Sequence, residues 1–484
     1  MPTTADPLPS ARTEGPSLAR FAGPLLGPFV GTYAFNSASV ASPSIARDLG
    51  ASPTQVEIVI AAYSVPFAVL LVLGGRLGDR YGRRRTFALG MGLVTAAAAA
   101  AAAAPDASTL AAIRLVQGAG AALCTPQVLG TVQATSHGVR RARGVMLFGA
   151  SAGVGLAAGQ LGGGLLLGTA SPGTGWRLTF VTCAVVGVVS VALATSMPPS
   201  RSNRPADVDL VGTVSLGLVV LCLVVPLTFG PTWGWPWWNE AVAALGLGLA
   251  FVLWAQQGRV ERAGRVPLLP PSIVSLRPLR LGLVAVAVYF GGFGGMLFVF
   301  TRTLEGGLGL SPFGAGSALG PFAVAFVVVS LALGSATRRL GHRTSVVGFA
   351  AMTVLLLGAA ATTWVQWGPQ TPWLLQPWLV LLGASQGLVF SPLVSLVLAE
   401  VPDEAAGLSG ALLSTMQQLA LALGVILVGS ASAGLAQHVG VAPAAATELT
   451  TAFGLFAVCS AVGLGLVVSI LRRDASSAAR VGAP

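Results

Sequence analysis

Residues 344–399 and 405–447 run without a single Asp, Glu, Lys or Arg, and 86–105, 144–176 and 281–301 do the same. A helix needs roughly 20 apolar residues to cross the hydrocarbon of a bilayer. Each of the two longest stretches therefore has room for more than one crossing, or for a crossing with its loop. Strands of a membrane barrel would show segments of about 10 alternating residues instead. Charged residues make up only 9% of the 484, against about 25% in soluble domains. The class that fits is an all-α integral membrane protein.

The charges that remain are gathered in short loops. Between two apolar runs lies Gly74-Gly75-Arg76-Leu77-Gly78-Asp79-Arg80-Tyr81-Gly82-Arg83-Arg84-Arg85, and a degraded copy starts at Gly334, 259 positions after Gly75. Gln117-Gly118 recurs as Gln386-Gly387 at an offset of 269, and a small-residue segment opening at Gly144 recurs from Gly407 at an offset of 263. Three offsets within ten residues of each other point to an internal repeat. Spans are expected near 21–41, 54–75, 86–104, 109–134, 144–168, 177–197, 209–230, 241–257, 281–303, 316–336, 344–365, 373–398, 406–434 and 449–471. The second span then maps on the tenth, the fourth on the twelfth and the fifth on the thirteenth. A six-helix bundle repeated after two inserted helices explains that shift, giving two bundles, an insert and 14 transmembrane helices.

The expected organisation is a cytoplasmic tail over 1–20, a first bundle over 21–200 and two inserted helices over 201–258. A cytoplasmic linker over 259–280, a second bundle over 281–471 and a tail over 472–484 follow. Alternate loops carry Arg76, Arg80 and Arg83 to Arg85; Arg140, Arg141 and Arg143; Arg201 and Arg204; Arg259, Arg262 and Arg265; Arg338, Arg339 and Arg343. By the positive-inside rule these loops and both termini are cytoplasmic. Trp233, Trp235, Trp237 and Trp238 mark an interfacial belt on the other side. The localisation expected is the cytoplasmic membrane, with the bilayer as the main partner and the chain a monomer. The net charge of +11 reflects this topology, not nucleic-acid binding. Four Cys and three His are dispersed, without metal or disulfide spacing. All 27 cationic side chains are Arg; without lysine no phosphate-binding Gly-x-x-x-x-Gly-Lys loop can be built, so an ion gradient, not ATP or a cofactor, must drive any uphill work.

The chain resembles the major facilitator superfamily, in its 14-helix drug:proton antiporter branch. The residues carrying the resemblance are Gly75 to Arg84, Arg114-Leu115-Val116-Gln117-Gly118, and Gly155 to Gly164 followed by Trp176-Arg177. The resemblance implies that Gly75, Asp79, Arg80, Gly82, Arg83 and Arg84 gate the cytoplasmic side. In that view Asp79 contacts the opposite bundle at the start of the thirteenth span, where a helix N-terminus favours a carboxylate, and Glu400, Asp403 and Glu404 offer partners to Arg83 or Arg84. It also implies that Arg114 takes part in proton coupling. Two departures stand out: the branch's Gly-Pro pair in the fifth span is here Gly159-Gln160, and its first-span acid falls on Ala34.

From the residues alone, Arg114 sits in an apolar span at an insertion cost of about 2.5–3.5 kcal/mol, so it either serves a function or snorkels to the outer interface. Gln117 lies three residues on, on the same face. Glu57, at the outer end of the second span, is the candidate proton carrier. Asn36, Gln117, Gln127, Gln160, Tyr289, Gln386, Met416 and Gln417 are the candidate lining of a substrate cavity: mostly neutral polar groups in apolar walls. Without an acid deep in the first or thirteenth span, a neutral, weakly charged or anionic lipophile fits better than a dication. Gly155, Gly159 and Gly163, four apart, allow close helix packing. The expected activity is proton-coupled efflux of a small lipophilic drug or natural product. The alternatives are import of a small solute on the same fold, or a non-transporting membrane sensor. No residues at catalytic spacing support an enzyme.

Overall fold

The computed structural model describes residues 21–136, 138–201, 209–234, 236–265, 267–340, 343–397, 401, 406–439 and 443–481. Among these every regular element is helical. In chain order α1 is Ala22–Leu49, α2 Pro53–Tyr81, α3 Arg83–Ala102 and α4 Ala107–Thr135. α5, Gly138–Ala157, passes through a π-helical turn at Ala158–Gly162 into α6, Gly163–Thr169, and α7 is Pro172–Leu193. α8 (Leu210–Trp233) and α9 (Trp237–Arg262) form a hairpin, and the short α10 (Pro271–Val274) precedes α11 (Arg277–Leu308). Then come α12 (Pro312–Ala318), α13 (Gly320–Leu340), α14 (Arg343–Val365), α15 (Thr371–Leu374), α16 (Gln376–Val397), α17 (Ala406–Val439) and α18 (Ala444–Val481).

Eleven helices among the described residues are long and apolar enough to cross a membrane. The first helix is not one of them, because Asn36, four serines, Arg47 and Asp48 dilute its apolar run. It is also longer than the expected 21–41. Pro43 does not stop it: the carbonyl of Ser39, which a proline four residues on leaves without its usual donor, accepts instead from Ser42 Oγ at 2.8 Å. The helix ends at Gly50, whose φ of +58° forms a left-handed cap. Apolar side chains such as Val185, Val188, Leu247 and Phe251 stay exposed on the outside, as lipid contact requires.

The packing repeats. In the first set α1 lies on α7 and on α5, α2 on α4, and α3 on α4 and α7; in the second α11 lies on α18 and α17, α13 on α16, and α14 on α16 and α18. Each set is tied at the end remote from the charged turn by an ion pair between its first and last helices. Asp48 binds Arg177 in one, with Trp176 Nε1 donating to the same carboxylate at 3.0 Å, and Arg302 binds Glu448 in the other. Asp106, in the loop before α4, caps that helix; bonds from the Thr109 N–H and hydroxyl, both 2.8 Å, hold its carboxyl below the ordinary carboxylate range. Two seams join the sets: α2 and α4 meet α17, and α5 meets α13 and α16.

Lipid offers apolar side chains as good a home as protein does, so helices associate in the membrane through close packing and hydrogen bonds. The α5 glycines show the means. A Cβ on Gly155 would overlap the Phe29 carbonyl oxygen and Thr32 Oγ1 of α1, and one on Gly159 would stand 2.9 Å from Asn36 Cβ. On another face, Gly153 receives the Phe326 ring of α13. Thr32 Oγ1 donates to Ala152 O at 2.8 Å and locks the α1–α5 register. Gly155→Ala is therefore expected to destabilise by about 1–3 kcal/mol through overpacking. Gly168→Ala, where nothing lies within 4 Å of the added methyl, is expected to be neutral or slightly stabilising. Thermal unfolding in detergent distinguishes them: Gly155→Ala should melt lower and Gly168→Ala should not.

Candidate functional site

The charged turn folds tightly because Gly82 takes φ +99°, a conformation other residues rarely adopt, and lets α3 start one residue after α2. Asp79 and Arg83 form a buried ion pair at 2.6 Å, with Arg83 Nε a further 3.1 Å from the same oxygen. Arg83 Nη1 donates to Ser200 Oγ at 2.7 Å and its backbone N–H to Ser200 O at 2.9 Å. Arg84 Nη1 reaches Thr195 O at 3.4 Å. Both arginines thus tie the turn to the strand of chain leaving α7, inside the first set. Arg80 lies against the Tyr81 ring at 5.5 Å, and Gly75 is buried beside Gly74, which approaches the α4 backbone at Ala122 and Leu123. The acids expected to face this turn, Glu400, Asp403 and Glu404, lie outside the described residues, as does the side-chain arrangement at the start of α17.

Arg114 does not snorkel: it is fully buried, along with Gln117. Its Nη1 donates to Gln117 Oε1 at 2.7 Å and to Ala34 O at 3.1 Å, and Nε reaches Val59 O at 3.5 Å. The guanidinium lies 4.5 Å from the Tyr63 ring centroid and 5.9 Å from that of Phe180, so aromatic faces carry part of the charge stabilisation. The partners are therefore carbonyls and rings, and the carbonyl of Ala34 occupies the place where the resemblance expects an acid. Nη2 has no hydrogen-bond partner among the described residues. Gln117 Nε2 points to Cys183 Sγ at 3.7 Å. One cluster inside the first set thus collects Arg114, Gln117, Tyr63 and Cys183.

The expected cavity residues separate into groups. Asn36 and Gln160 are brought together: Gln160 Nε2 donates to Asn36 Oδ1 at 3.3 Å, while Asn36 Nδ2 donates to Thr32 O at 2.8 Å. The π-turn that contains Gln160 stands where the related branch places its Gly-Pro pair, so the helix is interrupted here without a proline, a feature frequent at functional sites. Gln160 also lies close to Gly316 of α12, across from the second set. Gln127 is a fastener, donating to Gly74 O at 2.7 Å and Leu123 O at 2.8 Å. Gln117 serves Arg114. Tyr289 is buried in an aromatic nest of the second set, 4.9 Å from Phe290 and 5.7 Å from Phe349. Gln386 is buried on α16, and Met416 and Gln417 are half-buried on α17. Glu57 is the fifth residue of α2, and its side chain is outside the described residues. Ser200 and Cys183, both with partners here, carry no sequence signal of their own.

Helical rods packed in two repeated sets, eleven of them among the described residues long and apolar enough to cross a membrane, are the architecture of a multi-pass membrane protein. A family model described as Major Facilitator Superfamily matches residues 25–425, and the chain belongs to that family. It is 32% identical over 488 residues to "Puromycin resistance protein pur8" of Streptomyces alboniger, covering 97% of this chain and 93% of that protein. It is 31% identical over 399 residues to "Probable actinorhodin transporter" of Streptomyces coelicolor, covering 82% of this chain and 69% of that one. Among solved structures it resembles the proton:xylose symporter XylE, with a TM-score of 0.66, 12% identity, and 92% and 94% of the two chains covered.

Removing Arg83 would leave a buried carboxylate without its partner, which costs about 3–5 kcal/mol. Arg84 is exposed, and its loss should stay within about 0.5 kcal/mol. Melting temperatures are expected to fall markedly for Arg83→Ala and hardly for Arg84→Ala; equal shifts would contradict the assignment.

Proposed function

We propose that this protein exports lipophilic drugs or natural products across the cytoplasmic membrane in exchange for protons, by alternating access of two six-helix bundles with α8 and α9 inserted between them. The reading counts 14 crossings, adding α1, α8 and the broken α12–α13 rod to the eleven long apolar helices, and keeps both termini in the cytoplasm. The observation that carries it is Arg114: a fully buried cation whose partners among the described residues are neutral, with both N–H bonds of Nη2 left over. Burying such a charge is costly, and a coupling cycle gives it a use. A proton arriving close by and leaving to the other side is felt strongly by a guanidinium that has no counter-ion among the described residues. Names of the relatives support the direction of transport, since one is described as a puromycin resistance protein and another as a tetracenomycin C resistance and export protein. A proton entering across about 100 mV releases about 2.3 kcal/mol, and about 1.4 kcal/mol is tenfold. A one-for-one exchanger thus sustains a gradient of tens-fold against a leaking lipophile.

Asn36, Gln160 and the half-buried Met416 and Gln417 are the polar and soft residues we assign to the path of the substrate. Expressed in a pump-deficient bacterium, the protein should lower accumulation of puromycin or of the neutral dye Nile red, and an uncoupler should abolish the difference. Unchanged accumulation for a broad panel of lipophiles would refute export. Asp79→Asn keeps a hydrogen-bond acceptor for Arg83 but removes the charge, and is expected to abolish transport while the protein still inserts in the membrane. Arg114→Ala should lose uncoupler-sensitive transport by about tenfold or more while puromycin binding to purified protein persists; equal loss of both would make Arg114 a binding or folding residue.

A further inference from the structure

Between α9 and α11 runs the segment Pro267-Leu268-Leu269-Pro270-Pro271-Ser272-Ile273-Val274, apolar yet belonging to the stretch expected to be a cytoplasmic linker. It does not hang free. Leu268, 1% exposed, sits against Val72 of α2, also 1% exposed, with Leu216 of α8 and Leu412 of α17 around them. Arg76, the second position of the charged-turn segment from Gly75, donates through Nη2 to Leu268 O at 2.9 Å and also to Pro267 O. Asp209 caps α8 by accepting from Gly212 N–H at 2.7 Å, and its other oxygen accepts from Gln257 Nε2 at 2.8 Å and from Leu268 N–H at 3.3 Å. Gln257, fully buried on α9, accepts from Leu269 N–H at 2.8 Å, and Glu261 accepts from Ser272 N–H at 3.2 Å.

The polarity of these contacts is one-sided. Among the described residues the side-chain hydrogen bonds holding 267–272 come from α2, from the approach to α8 and from α9. Among the described residues the second set meets this region at apolar groups, Leu412 beside Leu268 and Leu419 against Val220 and Val224 of α8. Moreover α8 packs on both α2 and α17 and so covers one of the two seams, while the seam of α5 with α13 and α16 has no such cover among the described residues. Hydrogen bonds are short and directional, and breaking them here would leave Arg76, Asp209 and Gln257 unpaired in apolar surroundings. Leucine contacts are non-directional and re-form after a slip.

We propose that the insert and residues 267–272 travel as part of the first set, with Arg76, Asp209 and Gln257 as positioning residues for transport. α17 slides along the wall they build, and the chain flexes between the sets only at Ile273 to Leu276. This rests on the transport reading for its functional part, whereas the pinning itself can be measured without transport.

The test uses full-length protein in liposomes, in a background carrying Cys222→Ala and Cys459→Ala, the buried Cys124 and Cys183 being kept, with puromycin as the probe. An oxidised Val72→Cys/Leu268→Cys pair joins groups that never separate and should keep at least about half of the flux. An oxidised Leu268→Cys/Leu412→Cys pair joins sliding groups and should lose about tenfold, recovered on reduction. A blocked first pair or an unimpeded second pair overturns the proposal. Amide hydrogen exchange provides the independent arm. Leu268 and Leu269 should exchange slowly, and Arg76→Ala or Gln257→Ala should speed them by about tenfold or more. Fast exchange in the unsubstituted protein overturns the pinning. Slow exchange there, relieved by Gln257→Ala, in protein that moves no puromycin counts against the transport reading alone.

Discussion

In hydrocarbon no water is at hand for a polar group, so each one must find its partner within the protein. That constraint explains the contacts of several hydrophilic side chains among the described residues. The charged turn closes on itself through Asp79 and Arg83 and then on Ser200. Gln127 spends its amide on the backbone of α2, and Arg114 is wrapped in carbonyls, an amide and aromatic rings. The glycines of α5 follow from the same rule, because close backbone approach replaces the hydrophobic drive that would hold helices together in water.

The same constraint gives the molecule its mechanical division. Within each set the helices are fastened by hydrogen bonds, glycine contacts and a terminal ion pair. Across the α5 seam, among the described residues, the contacts are aromatic: Gly153 receives the Phe326 ring of α13 and Gly149 that of Phe390 of α16. In the rocking motion proposed above, parts fastened in this way would move as units. The inserted hairpin breaks the symmetry by building a wall on one seam.

How much could be read beforehand depended on whether a signal lay in the chain itself or in a contact. The helical membrane class and the repeat were legible because charge and glycine patterns write them directly: the copy of Gln117-Gly118 at Gln386-Gly387 corresponds to two close approaches, Gly118 to the backbone of Tyr63 and Gly387 to that of Phe326. The length of α1 was not legible, because its continuation past Pro43 rests on a contact, the Ser42 hydroxyl donating to Ser39 O. Arg114 could not be divided between snorkelling and burial from spacing, since that depends on which residues of α1, α2 and α7 surround it. The cavity set was only partly coherent for the same cause: a glutamine reads alike whether it fastens two helices, as Gln127 does, or meets Asn36, as Gln160 does. The π-turn at Gly159-Gln160 has no proline to announce it. Ser200 and the Asp209–Gln257 network exist only through partners distant in sequence.

If the buried Arg114 is the element through which proton and substrate movement are linked, the two flows must be tied in a single cycle. The direct measurement is proton flux in liposomes holding a pH-sensitive dye, with no membrane potential and no initial pH difference, when puromycin is placed on one side only. The account predicts a proton current opposite to puromycin and proportional to it. Puromycin movement through the protein at full rate with no accompanying change in internal pH would contradict it.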